Sequence, residues 1–192
     1  MRKQKRVENH WMSISDMMSA LMIIFLFISI SFMIKVHEQK KDMDKIIRES
    51  KQVKIEIYED LNKEFSGDFD KWRAELDQKT LSVRFKEPEV LFKPNSSKIE
   101  DKFIVILDDF FPRYLKVLNK QKYKGSIQEI RIEGHTSSEW RNELGTDTAY
   151  LENMRLSQDR ARSVLNYVFT LKTPEQRDWL IKHLTANGES FS

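Results

Sequence analysis

Apolar positions are distributed unevenly along this chain. Between Trp11 and Ile34 nearly every residue is apolar or small, and the 18 residues from Met17 to Ile34 carry no charge. As a helix those residues would rise about 27 Å, close to the thickness of a hydrocarbon core. The pattern predicts a transmembrane helix over 11–34. A cleaved signal peptide is the alternative, although the run is long for one and no small-residue cleavage site follows it.

Residues 35–66 are mostly charged and contain neither proline nor glycine. Apolar side chains recur there every three or four positions, which predicts a helical linker that continues over 35–79. That helix could pair with a second copy of itself or stand alone in water. Gly67 predicts an end or a bend of this helix. The recurring apolar residues are Met43, Ile46, Val53, Ile57, Leu61 and Phe65.

The remaining residues, 80–192, alternate between strand-like and helix-like patterns. Residues 80–85 and 127–132 alternate like strands, and the chain end from residue 184 could begin another. The pattern over 99–114 predicts an amphipathic helix, which Pro112 should kink or end.

A second main helix is predicted over 151–170, and Pro174 fits the first turn of a last one. The fold class is therefore a single N-terminal transmembrane helix, an extended helical linker and an α+β sandwich of one sheet and two main helices. A basic tail over 1–10 precedes the transmembrane helix.

The composition of the chain argues against several classes of protein function. The chain has 33 basic and 30 acidic residues, a net charge of +3 and no cysteine. It lacks the basic stripe of a nucleic-acid binder, and it can form neither disulfides nor thiolate metal sites. The four histidines show no ligand spacing, and no nucleophile–base pair or phosphate loop is present. We therefore predict no metal, no cofactor, no direct nucleic-acid binding and no enzymatic activity. Lys and Arg on either side of the apolar run slightly favour a cytoplasmic N-terminus.

Asp16 is the one charged residue between positions 11 and 34. An acid at the bilayer centre costs about 2.5–3.5 kcal/mol on insertion scales, so such residues are usually functional. Ser13, Ser19 and Ala20 share its helical face and form a small, polar stripe suited to close contact with another helix. Alternatively, Ser13 is the N-cap of the helix and Asp16 its third residue, which would place the acid among the lipid headgroups.

Three segments of the C-terminal region resemble the OmpA-like peptidoglycan-binding family. Residues 130–136 read IRIEGHT at a strand end, residues 153–161 read NMRLSQDRA at a helix start, and residues 92–99 read FKPNSSKI. The resemblance implies a groove for the diaminopimelate of the cell-wall peptide. It assigns Arg160 to the ligand carboxylate and places Asn153, Thr136 and Ser137 in the same site.

In that family an aspartate after G-H-T binds the ligand amine, whereas this chain has Ser137, and Glu139 or Asp147 could substitute for it. The alternative for Arg160 is a surface arginine paired with Asp159 or Glu133. For His135 we favour a structural role in the strand-to-helix loop.

The order of the parts resembles the stator B-subunits of ion-driven motors, and residues 11–27 are most similar to the branch that acts in anti-phage defence. The resemblance implies a homodimer inside a pentameric, multi-span membrane partner in the bacterial inner membrane. Asp16 would carry protons or sodium ions, and the periplasmic domains would hold the cell wall. A passive membrane-to-wall tether and a flagellar stator subunit are the competing interpretations.

Overall fold

The computed structural model describes residues 4–123, 125–136, 146–171 and 174–190. The chain divides into two compact units, one ending at Lys51 and the other beginning at Gln52. The sequence pattern places the start of the C-terminal domain at residue 80. The second compact unit begins earlier, at Gln52, and includes the end of the helical linker.

The first unit is formed by helix α1, which runs from Gln4 to Phe65 over 62 residues and extends into the second unit. Within the described part of the chain, α1 is the one helix that is long and apolar enough to cross a membrane, on length and composition. Every side chain from Ile14 to Lys51 is exposed. Because α1 begins at Gln4, Asp16 lies about three turns inside the helix. The capping-box alternative, which needs a helix that starts at Ser13, is therefore wrong.

The second unit contains short strands and three longer helices. The described strands form two two-stranded sheets instead of the single sheet predicted: β1 pairs antiparallel with β2, and β3 pairs parallel with β4. The elements after α1 are α2 (Phe69–Trp72), β1 (Ala74–Leu76), β2 (Val83–Phe85), α3 (Pro88–Leu91), α4 (Asp101–Leu118), β3 (Ile130–Gly134), α5 (Thr146–Thr170), α6 (Pro174–His183) and β4 (Leu184–Gly188).

Helix α4 continues through Pro112 to Leu118. Of the two outcomes predicted for this proline, a kink or an end of the helix, the end is therefore wrong. Proline removes one backbone hydrogen bond and crowds the preceding turn. Here Phe111 before it and Leu115 and Leu118 after it are buried on the apolar face, and this packing holds the turns on both sides in place. The start of α6 at Pro174 is as predicted.

The last turns of α1 form part of the core of the second unit. Ile57, Leu61 and Phe65 are four residues apart, lie on one helical face and are all buried. The Phe65 ring lies 5.1 Å from the ring of Phe110, measured between centroids. The guanidinium of Arg113 lies over Phe65 at 4.8 Å from its centroid.

Polar contacts also fix the end of α1. The Tyr123 hydroxyl donates to the Asp60 carboxylate at 2.7 Å, and Lys120 donates to the same oxygen at 2.9 Å. Arg113 donates to the Glu64 carboxylate at 2.8 Å and to Asp68 at 3.0 Å. The hydrogen bond from Arg113 is the main cause that lowers the pKa of Asp68.

Strands β3 and β4 lie against α5 at very short range. The strands are in register, so Gly134 and Gly188 are paired at their carboxyl ends. A Cβ atom on Gly134 would lie 2.1 Å from the carbonyl oxygen of Ser157 on α5. Only a residue without a side chain permits this approach. The strand ends are thereby held beside the turn of α5 that carries the candidate site.

Candidate functional site

The candidate site lies where the carboxyl ends of β3 and β4 meet α5. The Thr136 amide donates to the Ser190 carbonyl at 3.0 Å. The Ser190 amide donates to the Ser157 hydroxyl at 3.1 Å, and that hydroxyl donates to the Met154 carbonyl at 2.9 Å. The second residue after β3, the second residue after β4 and one turn of α5 are thus joined by a chain of hydrogen bonds. Asn153 lies on α5 one turn before Ser157.

Arg160 is buried, with 8% of its surface exposed. Its guanidinium donates to three backbone carbonyls: Ser96 at 3.0 Å, Lys93 at 3.2 Å and His135 at 3.4 Å. The guanidinium carbon also lies 5.1 Å from the centroid of the Phe92 ring. Burial lowers the pKa of Arg160 from its ordinary value, because desolvation disfavours the charged form. The arginine thus joins the loop after α3 to the end of β3.

The interpretation of Arg160 as a surface arginine paired with Asp159 or Glu133 is wrong. Asp159 accepts from Arg155 at 3.1 Å, and Glu133 lies 3.6 Å from Arg131. Within the described ranges, no carboxylate lies within 4.0 Å of the Arg160 guanidinium. Buried charges are normally paired, so a buried cation that contacts only neutral oxygens is chemically suited to an anionic ligand.

Three buried side-chain atoms on α5 and on the segments after β3 and β4 lack a hydrogen-bond partner among the residues the structure describes: the Asn153 amide nitrogen Nδ2, the Thr136 hydroxyl and the Ser190 hydroxyl. Asn153 and Ser190 are 1% and 3% exposed. Thr136 and Asn153 were predicted from the sequence motifs. Ser190 was not, because its position depends on contacts with Thr136 and Ser157 that are distant in sequence; the polar run after the last predicted strand was the available signal.

The other predicted residues are placed as follows. Ser137 and Glu139 lie outside the described residues. Asp147 is exposed in the first turn of α5. The side chain of His135 is substantially exposed, with Nε2 3.9 Å from Glu133, while its carbonyl accepts from Arg160. The main chain of His135 thus helps to hold Arg160 at the end of β3.

The second candidate site is on α1. Asp16, Ser19 and Ala20 are exposed and lie within about one turn of each other. Ser13 belongs to the same helix, but its side chain lies outside the described set. A carboxylate on an exposed apolar helix can meet only lipid, water or another protein, so its surroundings decide its role.

Comparison with known proteins identifies the class first. Residues 91–189 match the OmpA family, and they include both strands and the helix that build the site around Arg160. The fold and site thus define an OmpA-family domain that follows a candidate membrane-spanning helix.

The particular family follows from a curated relative. The chain is 44% identical over 189 residues to the Zorya protein ZorB of Escherichia coli strain Crooks, an alignment that covers 98% of this chain and 80% of that protein. The chain belongs to the ZorB family. A solved structure of a MotB-like protein from Desulfovibrio vulgaris is 21% identical with a TM-score of 0.46, covering 74% of this chain and 78% of that one.

Proposed function

We propose that this chain is the membrane subunit of an ion-driven rotary motor complex in anti-phage defence, and that it anchors the stator of that motor to the cell wall. The observation that carries the proposal is Asp16, the sole charge in an apolar stretch and about three turns inside the helix that contains it. Membership of the ZorB family supports the defence role. The OmpA-family domain supports wall anchoring.

Ion translocation requires that Asp16 be shielded from bulk water and still exchange its ion. A carboxylate in low-dielectric surroundings favours its neutral form, which lets it hold a proton that neighbouring groups can release. The membrane potential supplies about 2.3 kcal/mol per charge per 100 mV. A single helix cannot provide the shielding. Two copies of α1 inside a ring of five multi-span, ZorA-like subunits would do so, with Ser13, Ser19 and Ala20 permitting close helix contact.

The domain would supply the fixed point that torque requires. A single-pass protein with a cytoplasmic N-terminus would place this domain in the periplasm, next to the peptidoglycan. Three of the five N–H groups of Arg160 donate to backbone carbonyls, so its positive charge and its two remaining N–H groups would serve a diaminopimelate carboxylate. Asn153 and Thr136 are placed in the same site by the family resemblance. The proton or sodium ion is the cargo of the complex, and no cofactor is required.

Substitution of Asp16 tests the motor role. Asp16→Asn keeps the size and polarity of the side chain but removes the exchangeable charge. We expect loss of protection against phage with normal membrane insertion and assembly, measured by plaque counts and by copurification with the partner subunit. Asp44→Asn is the matched control, because Asp44 lies on the same helix beyond the apolar stretch. Full protection by Asp16→Asn would leave a passive tether as the function.

Substitution of Arg160 tests wall binding separately. Arg160→Ala should lower the retention of the full chain on purified sacculi, and Arg160→Lys should give an intermediate result because it keeps the charge but loses the planar fork. Arg155→Ala is the matched control: Arg155 lies on the same helix, and its side-chain hydrogen bonds among the described residues go to Glu152 and Asp159. Equal retention of all three variants would exclude Arg160 from the wall-binding site.

A further inference from the structure

We propose that residues 36–50 of α1 pair with the same residues of a second copy of this chain, in parallel and in register, as a short coiled coil beyond the apolar stretch. The inference rests on the proposed function, in which two copies of α1 lie side by side, and it names the contact that joins the copies outside the membrane. From residue 53 onwards, the domain of each copy covers the same helical stripe instead.

The apolar stripe of this segment has the spacing of a coiled-coil seam. Its positions follow one another in alternating steps of three and four residues, the pattern that keeps one helix face towards a partner. Met43 and Ile46 at its centre are 57% and 60% exposed, so the described part of this chain leaves them uncovered. Large apolar side chains in a row on a helix outside the membrane indicate a contact with another protein surface. The seam positions are Val36, Gln39, Met43, Ile46 and Ser50.

Charges beside the stripe fit a parallel pair. With Met43 at heptad position a and Ile46 at position d, Glu49 falls at g and Lys54 at e. In a parallel pair each g residue lies near the e residue of the next heptad of the other copy, so Glu49 meets Lys54, which has the opposite charge. An antiparallel pair would instead bring Asp42 and Glu49, both at g, towards each other. A second copy in the parallel orientation is thus the occupant that the charges favour.

The stripe changes partner at Val53. Ser50 is exposed, Val53 is partly buried against the core of the second unit, and Ile57 is 6% exposed. These three residues continue the same spacing, so they lie on one face of α1. A second copy can therefore pack on this face up to Ser50, whereas beyond it the chain's own domain occupies the face.

The seam is short and weak by itself. Gln39 and Ser50 are polar residues at seam positions, which lower the stability of a coiled coil but help to fix its register. Lys35 and Lys40 of opposite copies carry like charges, so the end next to the membrane gains nothing from electrostatics. Two spans held together in one complex offset this weakness, because they keep the segments at a high effective concentration. The pair should therefore form in the assembled complex.

Disulfide crosslinking tests the seam, since the chain has no cysteine of its own. Met43→Cys and Ile46→Cys each place one thiol on the stripe, and Arg48→Cys, on the opposite face of the helix, is the matched control. A disulfide needs Cα atoms within about 7 Å of each other, which an in-register parallel pair provides at seam positions. A cysteine placed in turn at each of residues 28–31, which together cover every face of α1 within the apolar stretch, reports whether two copies are adjacent at all. Each full-length variant is expressed in membranes together with the partner subunit and treated with a mild oxidant.

We expect both seam variants to form crosslinked dimers roughly fivefold faster than Arg48→Cys, or more, because only the seam thiols meet the distance requirement. If residues 28–31 crosslink but the seam variants are no faster than Arg48→Cys, the copies pair only within the membrane, and the inference is wrong while the proposed function stands. If no position crosslinks, two copies do not lie side by side, and the paired arrangement in the proposed function fails as well.

Discussion

The burial of the last turns of α1 leads to a sharp prediction for two isoleucines on that helix. Ile57 is 6% exposed and packs in the core of the second unit, whereas Ile55, two residues earlier, is 44% exposed. Ile57→Ala removes buried methyl and methylene groups and leaves a cavity, which typically costs about 2–5 kcal/mol. The better helix propensity of alanine offsets a few tenths of a kcal/mol. We therefore expect Ile57→Ala to lower the free energy of unfolding by about 2–4 kcal/mol.

Ile55→Ala is the matched control, because it makes the same chemical change on the same helix with little loss of burial. Its expected effect lies within about 0.5 kcal/mol of zero. Urea titration of the full chain in detergent, followed by tryptophan fluorescence, measures both values. Trp72 is a suitable reporter, since its ring lies 5.9 Å from that of Phe65 between centroids. Equal effects of the two substitutions would mean that the end of α1 is not part of the core.

Two further predictions concern pH and close packing. The Tyr123 hydroxyl and a lysine hold the pKa of Asp60 well below its ordinary value, so this carboxylate stabilises the fold above about pH 4 and the contribution is lost as the pH falls further. Asp60→Asn should therefore flatten the acid side of a plot of unfolding free energy against pH, and an unchanged slope would contradict the assignment. Gly134→Ala should destabilise the chain by about 3 kcal/mol or more in thermal melts, because its Cβ would meet the Ser157 carbonyl at 2.1 Å. Gly125→Ala, with no atom within 4 Å of the added Cβ, should leave the melting temperature nearly unchanged.

The helix periodicity of residues 53–65 predicted a helix but could not show what its apolar face would contact. Ile57, Leu61 and Phe65 have the spacing of a seam between two copies and equally that of a helix packed on its own domain. The structure shows the second arrangement, in which the helix packs on its own domain, because Phe110 on the aromatic face of α4 lies against Phe65. That face is remote in sequence, so a local pattern cannot reveal the contact.

The sequence predicted that α4 could end at Pro112 and that the strands form a single sheet. Both expectations are wrong for a similar reason. The free-energy cost of a proline inside a helix is known for helices without tertiary contacts. In α4, Phe111 and Leu115 are buried on either side of Pro112, and their burial outweighs that cost. Alternation over 80–85 identified β2 but not its extent, which pairing with Ala74–Leu76 limits to Val83–Phe85. Strand pairing depends on partners that a local window of sequence does not contain.

The residues proposed for the site were chosen from sequence motifs, and that assignment stays a prediction. The N-x-x-L-S-x-x-R-A string identified Asn153 and Arg160, and GHT identified Thr136. The contacts of Arg160 were not predictable, because its acceptors are main-chain carbonyls at Lys93, Ser96 and His135, which any residue type could supply. Backbone acceptors leave no signature in the sequence.

The packing at the end of α1 also bears on how force would pass from α1 to the domain under the proposed motor function. If the chain has the proposed motor function, a torque on α1 would reach the domain through Phe65 and its neighbours as well as through the covalent chain at Gly67. Ion pairs at this end of α1, such as Lys122–Asp60, are partly exposed and are therefore weakened by salt. The buried aromatic contacts are stronger, since Phe65 is fully buried and lies close to Phe69, Trp72 and Phe110. The stability of the packing between the last turns of α1 and α4 should therefore depend mainly on these aromatic contacts and change little with salt concentration.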